Sequence, residues 1–264
     1  MATTRKRPAG QASSLPPQIK PLSRDQDVFV RMIVYGEPGV GKTPFAASAP
    51  NALILDGDGG LESAIAAKST AKKWTLDDWN DATEAYEYLK AGGHKDFEWL
   101  VLDSITLFQE KGLDMIMEDL VAQKPHRKVY LPDKGEYGQN MNRLGKFLRD
   151  IRSLPINQVW TAHAAMLEIE QPDGSVVTKM MPAIQGRGMS QKICGYVAVV
   201  AHLESVGSKK NPDQEYPVLS TRRRDGWYGK DRYGAIGRMP NPTIPKVVSA
   251  IEAKLDPSKA TKGE

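Results

Sequence analysis

Residues 36–43 read Gly36-Glu37-Pro38-Gly39-Val40-Gly41-Lys42-Thr43 and satisfy every fixed position of the pattern G-x-x-x-x-G-K-[ST]. Each fixed residue type has a role at a phosphate. Glycines let successive backbone N–H groups turn inward around an anion, and a following helix N-terminus adds partial positive charge. The lysine reaches the β- and γ-phosphates, and the threonine hydroxyl ligates Mg2+. The expected ligands are therefore ATP and Mg2+, with Gly36, Glu37, Pro38, Gly39, Val40, Gly41, Lys42, Thr43 and the adjoining Pro44 forming the nucleotide cradle. Pro44 has no N–H, so one donor that the α-phosphate would use is missing, which predicts slightly looser binding.

Other residue types complete the chemistry. Asp103 ends the apolar run Trp99-Leu100-Val101-Leu102 and has the form of a carboxylate delivered beside Thr43 to hold Mg2+. Hydrolysis needs a group to orient or deprotonate water, and Asp58 is the preferred base, with Asp56 as second choice. The alternative is that Asp56-Gly57-Asp58-Gly59-Gly60 is turn chemistry alone. His163 closes another apolar run, where it can hydrogen-bond the γ-phosphate and sense its loss, or serve only a structural role. Lys230-Asp231-Arg232 offers two cations that could act on the phosphates from a neighbouring subunit, or simply form a charged turn.

Strand-like runs at 28–35, 52–55, 99–102 and 156–162 precede Gly36, Asp56, Asp103 and His163, so these four residues should lie along one sheet edge. Helical patterns separate them. A short helix follows Thr43, a capped one starts near Thr75 and stops before Gly92-Gly93, and a third runs from Ser104 to about Ala122. Met141, Leu144, Leu148 and Ile151 share one face of a helix over 136–153. Alternation of this kind predicts an α/β fold: a mainly parallel sheet with helices on both faces. Beyond residue 165 the pattern turns antiparallel. Gln171-Pro172-Asp173-Gly174 reads as a hairpin turn between 166–170 and 175–181, 196–203 and 215–221 read as a strand pair, and 244–255 as a closing helix.

The chain has 264 residues, a formal charge of +4 and 40% hydrophobic residues, enough for a sizeable core. The expected organisation is a disordered basic arm over 1–27, one core over 28–255 and a polar tail over 256–264. A single cysteine, Cys194, excludes an internal disulfide scaffold and a zinc finger. No apolar run approaches a membrane span and the N-terminus has no signal-peptide core, so the expected location is the cytoplasm, without a membrane partner.

Taken together, residues 36–43, Asp56-Gly57-Asp58, Leu102-Asp103-Ser104, His163 and Lys230-Asp231-Arg232 resemble the RecA-like P-loop ATPase core. The nearest resemblance is to the small phage-encoded RecA-like proteins of single-strand annealing and recombination, carried by the run Lys42-Thr43-Pro44-Phe45-Ala46-Ala47-Ser48-Ala49-Pro50 and the late Lys-x-Arg. The resemblance spans roughly residues 28 to 255. It implies a DNA-dependent ATPase in the host cytoplasm, assembled as a ring or filament with ATP between subunits, working beside a single-strand DNA-binding protein. It places Asp58 where the family carries a catalytic glutamate, His163 at the γ-phosphate sensor, and Lys230 and Arg232 at the subunit interface. Single-stranded DNA would meet the loops at 123–135 and 164–188, whose candidate contacts are Lys124, Arg127, Lys128, Tyr130, Lys179 and Arg187.

Charge is distributed to match. Between residues 121 and 153, Lys124, Arg127, Lys128, Lys134, Arg143, Lys146, Arg149 and Arg152 stand against Asp133, Glu136 and Asp150, an excess larger than that of the whole chain. Arg143, Lys146 and Arg149 form a helical stripe that a solvated surface explains equally well. Arg222-Arg223-Arg224 with Trp227 and Tyr228 is a second nucleic-acid candidate, unless those aromatics belong to the core. The rival functions are a nucleotide-switched DNA-binding module without useful turnover and a P-loop kinase of a small acceptor; an AAA+ loader or remodeller is disfavoured, because too few residues follow the last strand for a helical lid domain.

Overall fold

Alternation of side chains between two faces of a sheet organises the molecule. In the computed structural model, which describes residues 29–124, 126, 131–186, 188–208, 214–223 and 226–256, one sheet separates two apolar cores. Its parallel strands are β1 (Arg31–Gly36), β2 (Ala52–Asp56), β3 (Lys72–Thr75), β4 (Trp99–Asp103), β5 (Asn157–Glu170) and β7 (Val199–Gly207). Strands β6 (Val176–Pro182), β8 (Glu215–Ser220), β9 (Lys230–Asp231) and β10 (Arg238–Pro240) are antiparallel additions. The order is β10-β8-β7-β1-β5-β4-β2-β3, with β6 paired to β5 and β9 to β7.

Successive side chains on a strand point to opposite faces, and the two cores are sorted accordingly. Ile33, Tyr35, Leu53, Leu55, Leu100, Leu102 and Trp160 enter one core, covered by α3 (Trp79–Lys90), α4 (Ile105–Gln123), α5 (Lys134–Ser153) and α6 (Met189–Tyr196). Met32, Val34, Ala52, Ile54, Trp99, Val101 and Val159 enter the other, covered by α1 (Lys42–Ala46), α2 (Glu62–Ala66) and α7 (Ile244–Leu255). Strands buried on both faces need continuous apolar runs, which is why the run itself marked them in the sequence.

The expected sheet and its antiparallel extension are present. Several details differ. β5 does not stop at His163 but continues to Glu170, because residues 164–170 gain a complete antiparallel partner in β6 across the turn at 171–174. Tyr196 closes α6 and is not a strand residue; β7 begins at Val199. Edge strand β3 and helices α2 and α6 carry too few apolar residues in too short a span to announce themselves. The expected arm over 1–27 and most of the tail over 256–264 lie outside the described residues. Among the described residues, no helix is long and apolar enough to cross a membrane.

Candidate nucleotide-binding site

The loop after β1 is shaped by close approach and handedness. A Cβ on Gly36 would stand 2.4 Å from the Leu203 carbonyl oxygen on β7, so the strand can leave the sheet here only as glycine. Gly39 and Gly41 hold φ of 81° and 95°, left-handed values that cost other residues strain, and the space beside each is open. Helix α1 then starts without a side-chain cap, leaving its first N–H groups directed at the loop. Pro44 sits in that first turn, where the helix asks for no N–H, and Ala47 N still donates to Thr43 O across it.

Lys42 folds back over the loop, its Nζ donating to Gly36 O at 3.1 Å and Glu37 O at 2.7 Å. Burial holds its pKa below the ordinary lysine value, against the opposing fields of Asp103 and Asp58. Oxygen of an anion would replace those loop carbonyls as its partners.

Strand parity assembles the rest. Asp103, Asp56 and Thr161 occupy the parity that points toward the α1 face, continuing the series of Val101, Ile54 and Val159. Asp56 and Asp103 are direct register partners, and Gly36 pairs with His163. The four strand ends therefore share one edge, as the runs predict.

Thr43 Oγ1 donates to Asp103 Oδ2 at 2.8 Å, although 60 residues separate them. Thr161 Oγ1 donates to Asp103 Oδ1, so both carboxylate oxygens are engaged. Burial raises the Asp103 pKa above the usual aspartate value, while the Thr161 and Thr43 hydrogen bonds pull it down and Asp58 and Asp56 add repulsion. One carboxylate and one hydroxyl beside an open loop suit Mg2+, which keeps several waters and takes few protein ligands. A cage of three or more His, Cys, Asp or Glu does not occur among the described residues. Thr161 was missed in the sequence; the signal was a polar residue near the C-terminal end of the run 156–162, apart from Asn157 and Gln158 at its start, on the strand beside that of Asp103.

Asp58 is exposed on the turn after β2, while Asp56 is 1% exposed with Oδ1 accepting from Asp58 N and Gly59 N. His163 is half-buried. Its backbone N–H donates to Thr106 Oγ1 and its carbonyl accepts from Ala183 N. It lines a cleft of about 1160 Å³ under the β5–β6 hairpin with Thr106, Gln109, Leu167, Met181 and Ser190.

Lys230 and Arg232 are not brought to this edge within the chain. β9 pairs with Val199 and Val200, beside Met32 and Ile33, about 10 Å down the strands from Gly36. Lys230 Nζ donates to the carbonyls of Cys194 and Val197 at the end of α6, at 2.9 and 2.7 Å; Arg232 is exposed, with one long contact to Gly195 O at 3.5 Å.

The candidate DNA contacts divide. Lys179 is a half-buried residue of β6 opposite Leu167, on the hairpin. Lys124 ends α4, whose 19 residues carry it roughly 28 Å along the axis from its start beside Asp103. Arg127, Lys128, Tyr130 and Arg187 lie outside the described residues. The cationic stripe on α5 is tied to the protein's own surface. Arg143 donates to Gly112 O and covers the Trp79 ring, Lys146 pairs with Asp150, and Arg149 donates to Tyr196 Oη. In the second basic candidate, Trp227 stacks on buried His202 at 4.7 Å, and Arg223 lies over Tyr228 while donating to Gly229 O, so these aromatics belong with the core; Arg224 lies outside the described residues.

A family model described as an AAA domain matches residues 29–233. No curated protein matches the sequence. Among solved structures, the crystal structure of the RadB recombinase is similar at 16% identity, covering 76% of this chain and 84% of that one, with a TM-score of 0.42.

Proposed function

The chain belongs to the AAA domain family, and from that premise we propose that it binds ATP with Mg2+ and hydrolyses it weakly while assembled on single-stranded DNA. Its action there is annealing or strand pairing in homologous recombination, in the manner of RecA-like proteins, beside a single-strand DNA-binding protein. The observation that carries the nucleotide part is the Thr43 to Asp103 contact at the mouth of a complete phosphate loop.

Each residue has a task that its position permits. Gly39 and Gly41 turn backbone N–H groups toward the phosphates, and Lys42 gives up its loop carbonyls for phosphate oxygens. Thr43 and Asp103 hold Mg2+, with Thr161 fixing the carboxylate from behind. The ion, when bound, neutralises charge on the β- and γ-phosphate oxygens. Asp58, exposed and within the field that acts on Lys42, orients the attacking water and accepts its proton. His163, beside Gly36 on the neighbouring strand, contacts the γ-phosphate and passes its loss to the hairpin that follows it.

Lys230 and Arg232 are held away from this edge within their own chain, which supports a site completed by a second copy. Arg232 is the better candidate to act across that interface, since the Lys230 ammonium is committed to its own chain. Lys179 on the hairpin, Lys124, Arg127, Lys128, Tyr130 and Arg187 are the proposed DNA contacts. A binding module that uses ATP only as a switch is the second reading, favoured by Asp58 being one methylene shorter than the family's glutamate. Lys42→Ala tests the site itself. A fluorescent ATP analogue should lose its binding, and unchanged affinity would remove the phosphate-loop assignment.

A further inference from the structure

Two acids end or follow β2, and the structure gives them different environments. Asp58 is exposed on the turn. Asp56 is closed off, its residue 1% exposed and its Oδ2 out of reach of solvent with no hydrogen-bond partner. A general base must reach a water at hydrogen-bond distance, and Asp56 offers that water no access. Its other oxygen is already in use, accepting from Gly59 N at 2.8 Å and Asp58 N at 3.2 Å. The same turn is fixed on its remaining sides. Gly57 N donates to Asp103 O at 2.8 Å, and Leu76 N donates to Asp56 O at 2.8 Å. The Phe108 ring lies against Gly57, where a Cβ would come within 2.7 Å of Cε1. Gly59 adopts a φ of 72°, the left-handed value that bends the chain away after the second accepted N–H.

We propose that Asp56 is a positioning residue: its buried carboxylate holds the Asp58–Gly59 turn against the Asp103 strand end and so presents the Asp58 carboxylate toward Lys42 and the γ-phosphate. The inference rests on the ATPase reading of the same site. An isosteric amide keeps an oxygen for both N–H groups and removes a negative charge beside Asp103 and Asp58. A base cannot survive that change, whereas an acceptor can.

The test compares Asp56→Asn, Asp56→Ala and Asp58→Asn in the full chain, reading ATP turnover, affinity for a fluorescent ATP analogue and backbone amide hydrogen exchange over residues 57–60. Asp58→Asn should lower turnover about 100-fold with binding retained, the loss expected on removing a general base. Asp56→Ala should lower turnover about tenfold at similar ATP affinity, and expose the Asp58 and Gly59 amides to exchange. Asp56→Asn should restore turnover to within about threefold of wild type, together with the amide protection. Turnover in Asp56→Asn as low as in Asp58→Asn would overturn the inference, as would an Asp56→Ala variant that keeps both turnover and protection. A wild type without turnover would instead bring down the ATPase reading, and the exchange pattern alone would then decide whether Asp56 holds the turn.

Discussion

Asp103 supplies the carboxylate of the proposed Mg2+ site. Its carboxyl is held above the usual aspartate value chiefly by burial, so on acidification it takes up a proton at a higher pH than an ordinary aspartate would, and on the proposed reading Mg2+ would be lost there. For the fold the sign is opposite. A raised folded pKa contributes stability that is complete below the unfolded value and lost as pH rises through the folded one, so the charge needed at the phosphates is a burden on the empty fold. Thr161 acts against that burden, since its hydroxyl favours the ionised form. Thr161→Val should therefore move the acid limb of Mg2+-dependent nucleotide binding to higher pH and raise the half-saturating Mg2+ concentration about tenfold, as loss of a group that orients a metal ligand does. Titration of analogue binding with Mg2+ across the acid range checks both, and a variant matching wild type in limb and midpoint would contradict the role. In the sequence the loop residues and Asp103 were legible because their types and order are constrained by chemistry. Thr161 was not, because a threonine is also an ordinary strand residue and only register reveals which carboxylate it faces.

The strands and the hairpin carry the next level. Parity places Asp56, Asp103 and Thr161 on one face, so a one-residue slip of β2, β4 or β5 would move the corresponding side chain into the opposite core. That register was legible as four apolar runs ending in Gly36, Asp56, Asp103 and His163. The continuation of β5 through His163 was not, because residues 164–170 alternate in burial and owe their strand form to β6 rather than to the parallel sheet. This continuity ties the His163 end of the sheet edge to the hairpin. If the hairpin meets DNA, Lys179→Ala should weaken single-stranded DNA binding and reduce the slope of log affinity against log salt by about one, the signature of one lost phosphate contact. Fluorescence anisotropy of a labelled oligonucleotide at several salt concentrations measures it, and an unchanged slope would remove Lys179 from the interface.

At the scale of the whole molecule, the two sides of the Lys230-Asp231-Arg232 segment separate. The Lys230 ammonium caps the carbonyl end of α6, so Lys230→Ala should destabilise its own chain by about 2 kcal/mol, the worth of charge-assisted hydrogen bonds, visible as a lowered thermal midpoint. Arg232→Ala should leave that midpoint in place. Mixed with Asp58→Ala subunits, Arg232→Ala subunits should recover part of the ATP turnover, because some interfaces then combine an intact Asp58 with an intact Arg232; no recovery at any ratio would argue against a shared site. The sequence made the segment conspicuous by its charges but gave no hint that one of them is satisfied at home, since that depends on α6, a helix too short to announce itself. The excess charge between residues 121 and 153 is similarly reduced in meaning, with Arg143, Lys146 and Arg149 engaged on the protein's own surface. On the proposed reading, DNA is left with Lys179 on the hairpin and with Lys124, Arg127, Lys128, Tyr130 and Arg187. The most direct test of the account is the rate of ATP hydrolysis by the full chain with Mg2+, with and without single-stranded DNA, at low and moderate salt. The account predicts slow turnover that DNA accelerates and that salt returns toward the basal rate; turnover indifferent to DNA, together with no DNA binding at low salt, would contradict it.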